Sequence, residues 1–346
     1  MANKFAYLLV AILCLAALAV YADNPQDAWL GSPHADRESE GFAHWDEDDP
    51  AVVPGRCAKC HAGSGFLDFL GEDGTAAGTV DNDAEPGVVE CRTCHNDSVK
   101  ALTSVAFPSG AIVDVDSAEA PCVQCHQGRS YGGAVDAAAE GIDADAVMEG
   151  QGFINVHYAA AGATREGSVA NAGYEYAGQT YVGSFGHAGG FDACAACHDP
   201  HSLELVVDGC NCHGAVADAG TIRMGATDYD GDGDVAEGVK GEVETLHADL
   251  YAAILAAAEA PIVYDSHTYP YWMNDTNANG EVDEGEASYG NQYKGNFTPR
   301  LLRATYNWQL VAKEAGFYAH NPKYAIQLLI DSIADLGADV SGYTRP

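Results

Sequence analysis

The chain has 346 residues and carries 51 acidic against 16 basic side chains, a formal net charge of −35 at neutral pH. That excess excludes nucleic acid and anionic lipid as partners, because both are bound through clusters of Lys and Arg. It fits a solvated exterior that meets divalent cations and repels other copies of itself unless salt or Ca2+ screens it.

Met1 to Lys4 form a short n-region, Phe5 to Val20 an apolar run, and Val20-Tyr21-Ala22 a cleavage site before Asp23. Residues 1–22 therefore read as a secretory signal peptide. The apolar run is shorter than the roughly 20 residues a bilayer requires, and no later stretch exceeds it, so no membrane span is expected in the mature chain. Leu13 is too large for a lipoprotein site at Cys14, which is expected to leave with the leader.

Every other cysteine lies between Cys57 and Cys212, mostly in one repeated pattern. Cys57 and Cys60 precede His61, Cys91 and Cys94 precede His95, Cys122 and Cys125 precede His126, and Cys194 and Cys197 precede His198. These are four copies of C-x-x-C-H, the attachment signal of haem c. Thiols at this spacing add to the two vinyl groups of one porphyrin, and the adjacent His reaches the iron. A redox C-x-x-C or a zinc site requires no His directly after the second Cys. Cys210-Asn211-Cys212-His213 has one residue too few between its thiols. It reads as a redundant motif, with a fifth haem held by Cys212 and proximal His213 as the alternative.

A six-coordinate haem of low potential needs a second imidazole. His34 and His44 stand before the first motif, and His157 and His187 lie in the long third interval. In Cys197-His198-Asp199-Pro200-His201, Pro200 stiffens the step between the two imidazoles. His201 therefore cannot ligate the iron of His198 and suits a neighbouring haem. His320 is a reserve ligand, and His247 reads as a core or surface residue. No spacing recommends Met148, Met224 or Met273.

The proximal positions are separated by 34, 31 and 72 residues. About 30 residues cannot enclose a porphyrin in an aliphatic core, so the haems themselves are expected to form much of it. The expected fold class is a multihaem cytochrome c, mostly irregular Gly-rich loops wrapped round a haem stack, with a small α-helical C-terminal subdomain. A short hairpin is expected between Ser104 and Val115. By character the chain divides into a multihaem region over 23–220 and a helical subdomain over 221–346.

Two acidic loops open the second region. Asp228, Asp230, Asp232 and Asp234 alternate with Gly233 at position six, but position twelve is Val239, leaving Glu237 or Glu242 as substitutes. Asp275, Asn277, Asn279, Gly280 and Glu286 complete D-x-N-x-N-G-x5-E, the cleaner match to a calcium loop. Three helices follow from pattern: a stripe of Val243, Leu246, Leu250 and Ile254, a helix capped by Thr298 with Pro299 at N1, and one capped by Asn321 with Pro322 at N1.

With these motifs the sequence resembles the multihaem outer-surface cytochromes of metal-reducing bacteria, most like the filament-forming tetrahaem OmcE type. The likeness rests on the stretch from His34 to His61 and the Cys197 to His201 run. It continues through Tyr269-Pro270-Tyr271-Trp272 with the Asp275 loop, Leu301 to Asn307, and His320 to Leu336. It implies bis-His haems in a continuous stack, at least one of them ligated by a His from the next subunit of a head-to-tail homopolymer. It also implies redox cytochromes and extracellular acceptors as partners, and a place outside the cell or on its outer surface, with the periplasm as alternative. Electron transfer without catalysis is the leading expectation. A nitrite or hydroxylamine reductase and a monomeric periplasmic carrier are its rivals; the chain has no C-x-x-C-K and enough His to close every iron.

Overall fold

Three helix starts in this chain are set by side chains that answer the first unpaired N–H groups. Asn24 accepts from Gln26 N with Pro25 at N1, Thr298 accepts from Leu301 N, and Asn321 accepts from Tyr324 N. In the computed structural model, residues 24–346 are described apart from 208–211, 215, 217 and 224. The signal peptide, Cys14, Cys210, Asn211 and Met224 fall outside the described residues.

The chain forms two compact units. The first takes residues up to Leu102 with Ser117–Pro121 and Phe191–Val206. Its helices are α1 (Pro25–Leu30), α2 (Glu40–Ala43), α3 (Gly55–His61), α4 (Gly63–Phe69), α5 (Cys91–Cys94) and α6 (Asp97–Lys100). Val53, Ala58, Ala62 and Ala84 form a buried cluster, with Trp45, Cys57 and Val80 packed against it. Helices α3 and α4 approach closely because position 65 is glycine; a Cβ there would stand 2.5 Å from that of Ala58.

The second unit takes Thr103–Asp116, Cys122–Gly190 and Val207–Pro346. Strands β1 (Ser104–Ala106) and β2 (Ile112–Asp114) form the expected hairpin, in the register Val105 to Val113. Helix α7 (Ala120–Cys125) follows the hairpin, and α8 (Gly132–Ala138) and α9 (Ala161–Glu166) come after it. Then come α10 (Val239–Ala257), the antiparallel pair β3 (Ile262–Tyr264) and β4 (Trp272–Asn274), α11 (Pro299–Lys313), α12 (Phe317–His320) and α13 (Pro322–Asp335). Helices α10, α11 and α13 pack on one another through the expected stripe on α10 and through Leu302, Ile326 and Leu329. The change of character near residue 220 is one of sequence; in space the helical segment shares its unit with residues 103–116 and 122–190. No described helix is long and apolar enough to cross a membrane.

Polar side chains in this helical core clamp an irregular loop. Asn307 accepts from Tyr174 N and donates to Tyr174 O, Tyr324 OH accepts from Gly173 N, and Tyr306 OH donates to Ala172 O. Gly173 lies so close that a Cβ would stand 2.4 Å from Leu328 Cδ1. Burying these groups is tolerable only because each finds a partner. Truncating Asn307→Ala leaves both Tyr174 backbone groups unpaired and should cost about 1–3 kcal/mol per group, read by denaturant unfolding of the full chain.

His247 belongs to the same core. Its ring stacks on Trp308 with centroids 4.4 Å apart, and its Nε2 donates to Trp308 O. Burial pushes its pKa down to about 4. Between the ordinary value of 6.5 and about 4, the unfolded chain binds a proton that the folded chain refuses. Stability from this residue is therefore full above that window and is lost as pH falls through it, by up to about 1.4 kcal/mol per pH unit. In His247→Gln, the unfolding midpoint should lose this part of its acid dependence when compared with wild type.

Candidate haem and cation sites

All four motifs lie in or start a helical turn of the backbone. Cys57 and Cys60 lie within α3, Cys91 and Cys94 bound α5, Cys122 and Cys125 lie in α7, and Cys194 starts a 3-10 turn. His95, His126 and His198 each donate their backbone N–H to the carbonyl of the first cysteine of their motif, at 2.8–3.0 Å. Closing that turn puts residues three apart on neighbouring positions of one face. No disulfide joins the described motif cysteines.

Three of the motif imidazoles share a second feature. His61 Nδ1 meets Gly41 O at 2.6 Å, His126 Nδ1 meets Ala159 O at 2.9 Å, and His198 Nδ1 lies 3.5 Å from Leu203 O. A carbonyl can only accept, so these bonds place the proton on Nδ1 and the lone pair on Nε2. That is the tautomer and ring orientation a metal-ligating histidine requires. The carbonyls are themselves held: Ala159 donates its N–H to Lys313 O at the end of α11, and Val156 N donates to Gln309 Oε1. His157 and Ala159 take positive φ values of 79° and 50°, backbone states that this clamp imposes.

Two imidazole pairs draw together. His95 and His201 have ring centroids 6.1 Å apart with planes 13° from parallel, and His187 and His213 have centroids 5.9 Å apart at 60°. Two imidazoles on opposite sides of one metal, with bonds of about 2.0 Å, have ring centres about 6 Å apart. Ordinary aromatic pairs cover that range too. What sets these pairs apart is that one member of each belongs to a haem motif or near-motif. His44 sits by α2, its Nδ1 bonded to Glu40 and its ring 4.8 Å from Trp45, which in turn lies 5.4 Å from the His61 ring. His34 is half-buried, its carbonyl accepting from Val89 N. His320 Nδ1 is 3.1 Å from Glu314 Oε2.

One feature escapes sequence reasoning. A cavity of about 600 Å³ lies beside Tyr158, His247, Trp308 and Lys313. Lys313 is buried under the rings of Tyr158 and Tyr271, its Nζ bonded to Asn155 Oδ1, and burial lowers its pKa to about 7. Nothing in the local pattern of α11 distinguishes this lysine from a solvated one.

The two acidic loops share a frame but differ in how their carboxylates are used. In each, the first aspartate accepts from the N–H of a glycine at position six: Asp228 from Gly233 and Asp275 from Gly280, both glycines at positive φ. In the second loop, Glu286 accepts from Thr276 N, Thr276 Oγ1 and Asp283 N. Asn277 and Asn279 turn their amides to Asp283. In the first loop Asp230, Asp232 and Glu237 draw their oxygens within 4.8 Å of one another, as do Asp228, Asp230 and Glu242.

Comparison with known proteins bears on the motifs. The chain is 29% identical to the C-type polyheme cytochrome OmcC of Geobacter sulfurreducens over a 387-residue alignment, covering 94% of this chain and 48% of that protein. It is 28% identical to the C-type polyheme cytochrome OmcB of the same species, covering 86% of this chain and 46% of that protein. The chain thus spans about half the length of the curated relatives it matches, and the longer alignment takes in all four C-x-x-C-H motifs. This similarity supports a place among the multihaem c-type cytochromes. No protein-family model and no solved structure matches the chain.

The Nδ1 anchoring makes a spectroscopic prediction. With Lys313→Ala, the α11 terminus loses the Asn155 contact and the aromatic lid that steady the Ala159 carbonyl. The reduction midpoint of one haem should then shift in a potentiometric titration, the others staying in place.

Proposed function

We propose that this chain is an exported multihaem c-type cytochrome that carries electrons along a series of bis-His haems, as a subunit of an extracellular filament serving respiration to external acceptors. The observation that carries the reading is the set of four C-x-x-C-H turns, three of whose histidines, His61, His126 and His198, are anchored through Nδ1 to backbone carbonyls. The similarity to polyheme cytochromes supports it independently. Haem c, when bound, supplies one-electron exchange at an iron whose potential its axial ligands set. The chain contributes covalent anchoring, imidazole orientation and a carboxylate-rich exterior; no group in this scheme need act as a catalyst.

Within this reading His201 is the distal ligand opposite His95, which the ring spacing favours over a role beside its own motif. His187 stands opposite His213 in the same way, which favours a fifth haem held by Cys212 through one thioether over a redundant motif. His34, His44, His157 and His320 complete the pool for the remaining irons. Assembly is proposed as head-to-tail contacts between copies, an open heterologous arrangement in which a histidine crosses to the next subunit. Other redox cytochromes and extracellular acceptors are the proposed partners.

Cryo-electron microscopy of the protein as secreted by its own host tests the whole reading. Filaments with a continuous haem series are expected; dispersed six-coordinate monomers would make it a periplasmic carrier, and an open iron over a polar pocket would make it a reductase. In His201→Ala, electron paramagnetic resonance should show one ferric haem turned high-spin while the rest stay low-spin. An unchanged spectrum would remove His201 from the ligand set. Intact mass should show five haems, and Cys212→Ser should lose one of them; a wild-type count of four returns Cys212 and His213 to a redundant motif.

A further inference from the structure

The first acidic loop holds carboxylate oxygens that the fold has buried and left without donors. Asp230 is 5% exposed; its Oδ1 accepts from Asp232 N, but its Oδ2 accepts no hydrogen bond, and neither does the buried Oε1 of Glu237. These side chains converge with that of Asp232. A buried carboxylate without donors is costly, and facing it with others raises the cost further. Burial first, then Asp230, Glu242, Asp232 and Asp234, pushes Glu237 up to about 6.

The surrounding chain holds this arrangement rigidly. Glu242, fully buried in the first turn of α10, accepts from Tyr229 N and Asp230 N through Oε2 and pairs with Arg223 through Oε1. Arg223 also donates to the carbonyls of Gly225, Thr227 and Glu237, lacing the loop shut. Glu242 is thereby occupied as a positioning residue. Gly231, at φ 78°, lies against the backbone of Gly342, where a Cβ would meet a carbonyl oxygen at 2.3 Å. Most telling is Gly241, a glycine inside a helix, where alanine would be the stabler choice. A Cβ there would fall 1.6 Å from Glu237 Oε2, so the glycine makes room for that carboxylate to fold back over the loop.

We infer that Asp228, Asp230, Asp232 and Glu237 form a calcium site, with Glu242 and Arg223 positioning the loop and Gly241 admitting Glu237 as a ligand. Oxygen donors of this number and charge suit a hard divalent cation with flexible coordination and select Ca2+ over the smaller Mg2+. The site is independent of the haem reading. Its consequence is structural: the cation ties the acidic loop at 228–232 to Glu237, just before the start of α10.

The test uses the full haem-loaded chain, stripped of divalent ions with a chelator and titrated with CaCl2 by calorimetry and thermal unfolding. Wild type should bind Ca2+ and gain thermal stability, with Mg2+ at least tenfold weaker. Gly241→Ala keeps every carboxylate and favours the helix, yet displaces Glu237, so Ca2+ affinity should fall at least tenfold while the haem spectrum is unchanged. Asp230→Asn should abolish the site, and Glu286→Gln, in the second loop, should leave it intact. No binding at millimolar Ca2+, or binding that survives Gly241→Ala and Asp230→Asn, overturns the assignment; so does binding lost only in Glu286→Gln. Should Asp230→Asn fail to fold, Gly241→Ala decides alone.

Discussion

An imidazole can present Nε2 to a metal in one fixed direction only if something else holds Nδ1. In this chain that task falls to backbone carbonyls. Gly41, Ala159 and Leu203 lie in the chain from five to thirty-three positions away from the histidines they face, so the loops around the motifs are not passive linkers. Each must return a carbonyl to one particular place. The positive φ values at His157 and Ala159 serve that return next to His126.

The second unit shows how such loops are fixed. A loop rich in glycine and tyrosine cannot hold itself by local propensity, so its backbone groups are paired with Asn307, Gln309 and Tyr324 on helices formed more than a hundred residues later. The helices earn their stability from an apolar interface among themselves, and then lend polar side chains to the loop. Electrostatics divide along the same line: carboxylates dominate the surface, while the few buried cations, Arg223 and Lys313, are met by carboxylate, carbonyl or ring partners.

Much of this was legible in the sequence. The C-x-x-C-H turns, the hairpin at 104–115, and the helix caps at Thr298 and Asn321 follow from local rules, and local rules suffice because those contacts span few residues. What was not legible depends on long-range placement. Nothing near His126 reveals that Ala159 will accept from it, and Pro200 indicates that His201 leaves the haem of His198 without naming His95 as its neighbour. The acidic loops make the same point in reverse. The Asp275 loop fits the sequence pattern better, yet its carboxylates meet donors of their own, whereas the less regular Asp228 loop keeps two oxygens without any. Pattern records ligand order; it does not record which oxygens the rest of the fold has already used.

Ala159 is a single residue whose two backbone groups face in different directions, its N–H to the last carbonyl of α11 and its own carbonyl to the ring of His126. The two groups belong to different peptide units, so the link between the bonds is one of position: holding the N–H on the end of α11 fixes where the carbonyl points. A shift of the end of α11 moves the acceptor that holds the ring of His126. Under the proposed electron-transfer reading, a substitution at the end of α11 retunes one redox step without touching a ligand, a cysteine or the haem itself.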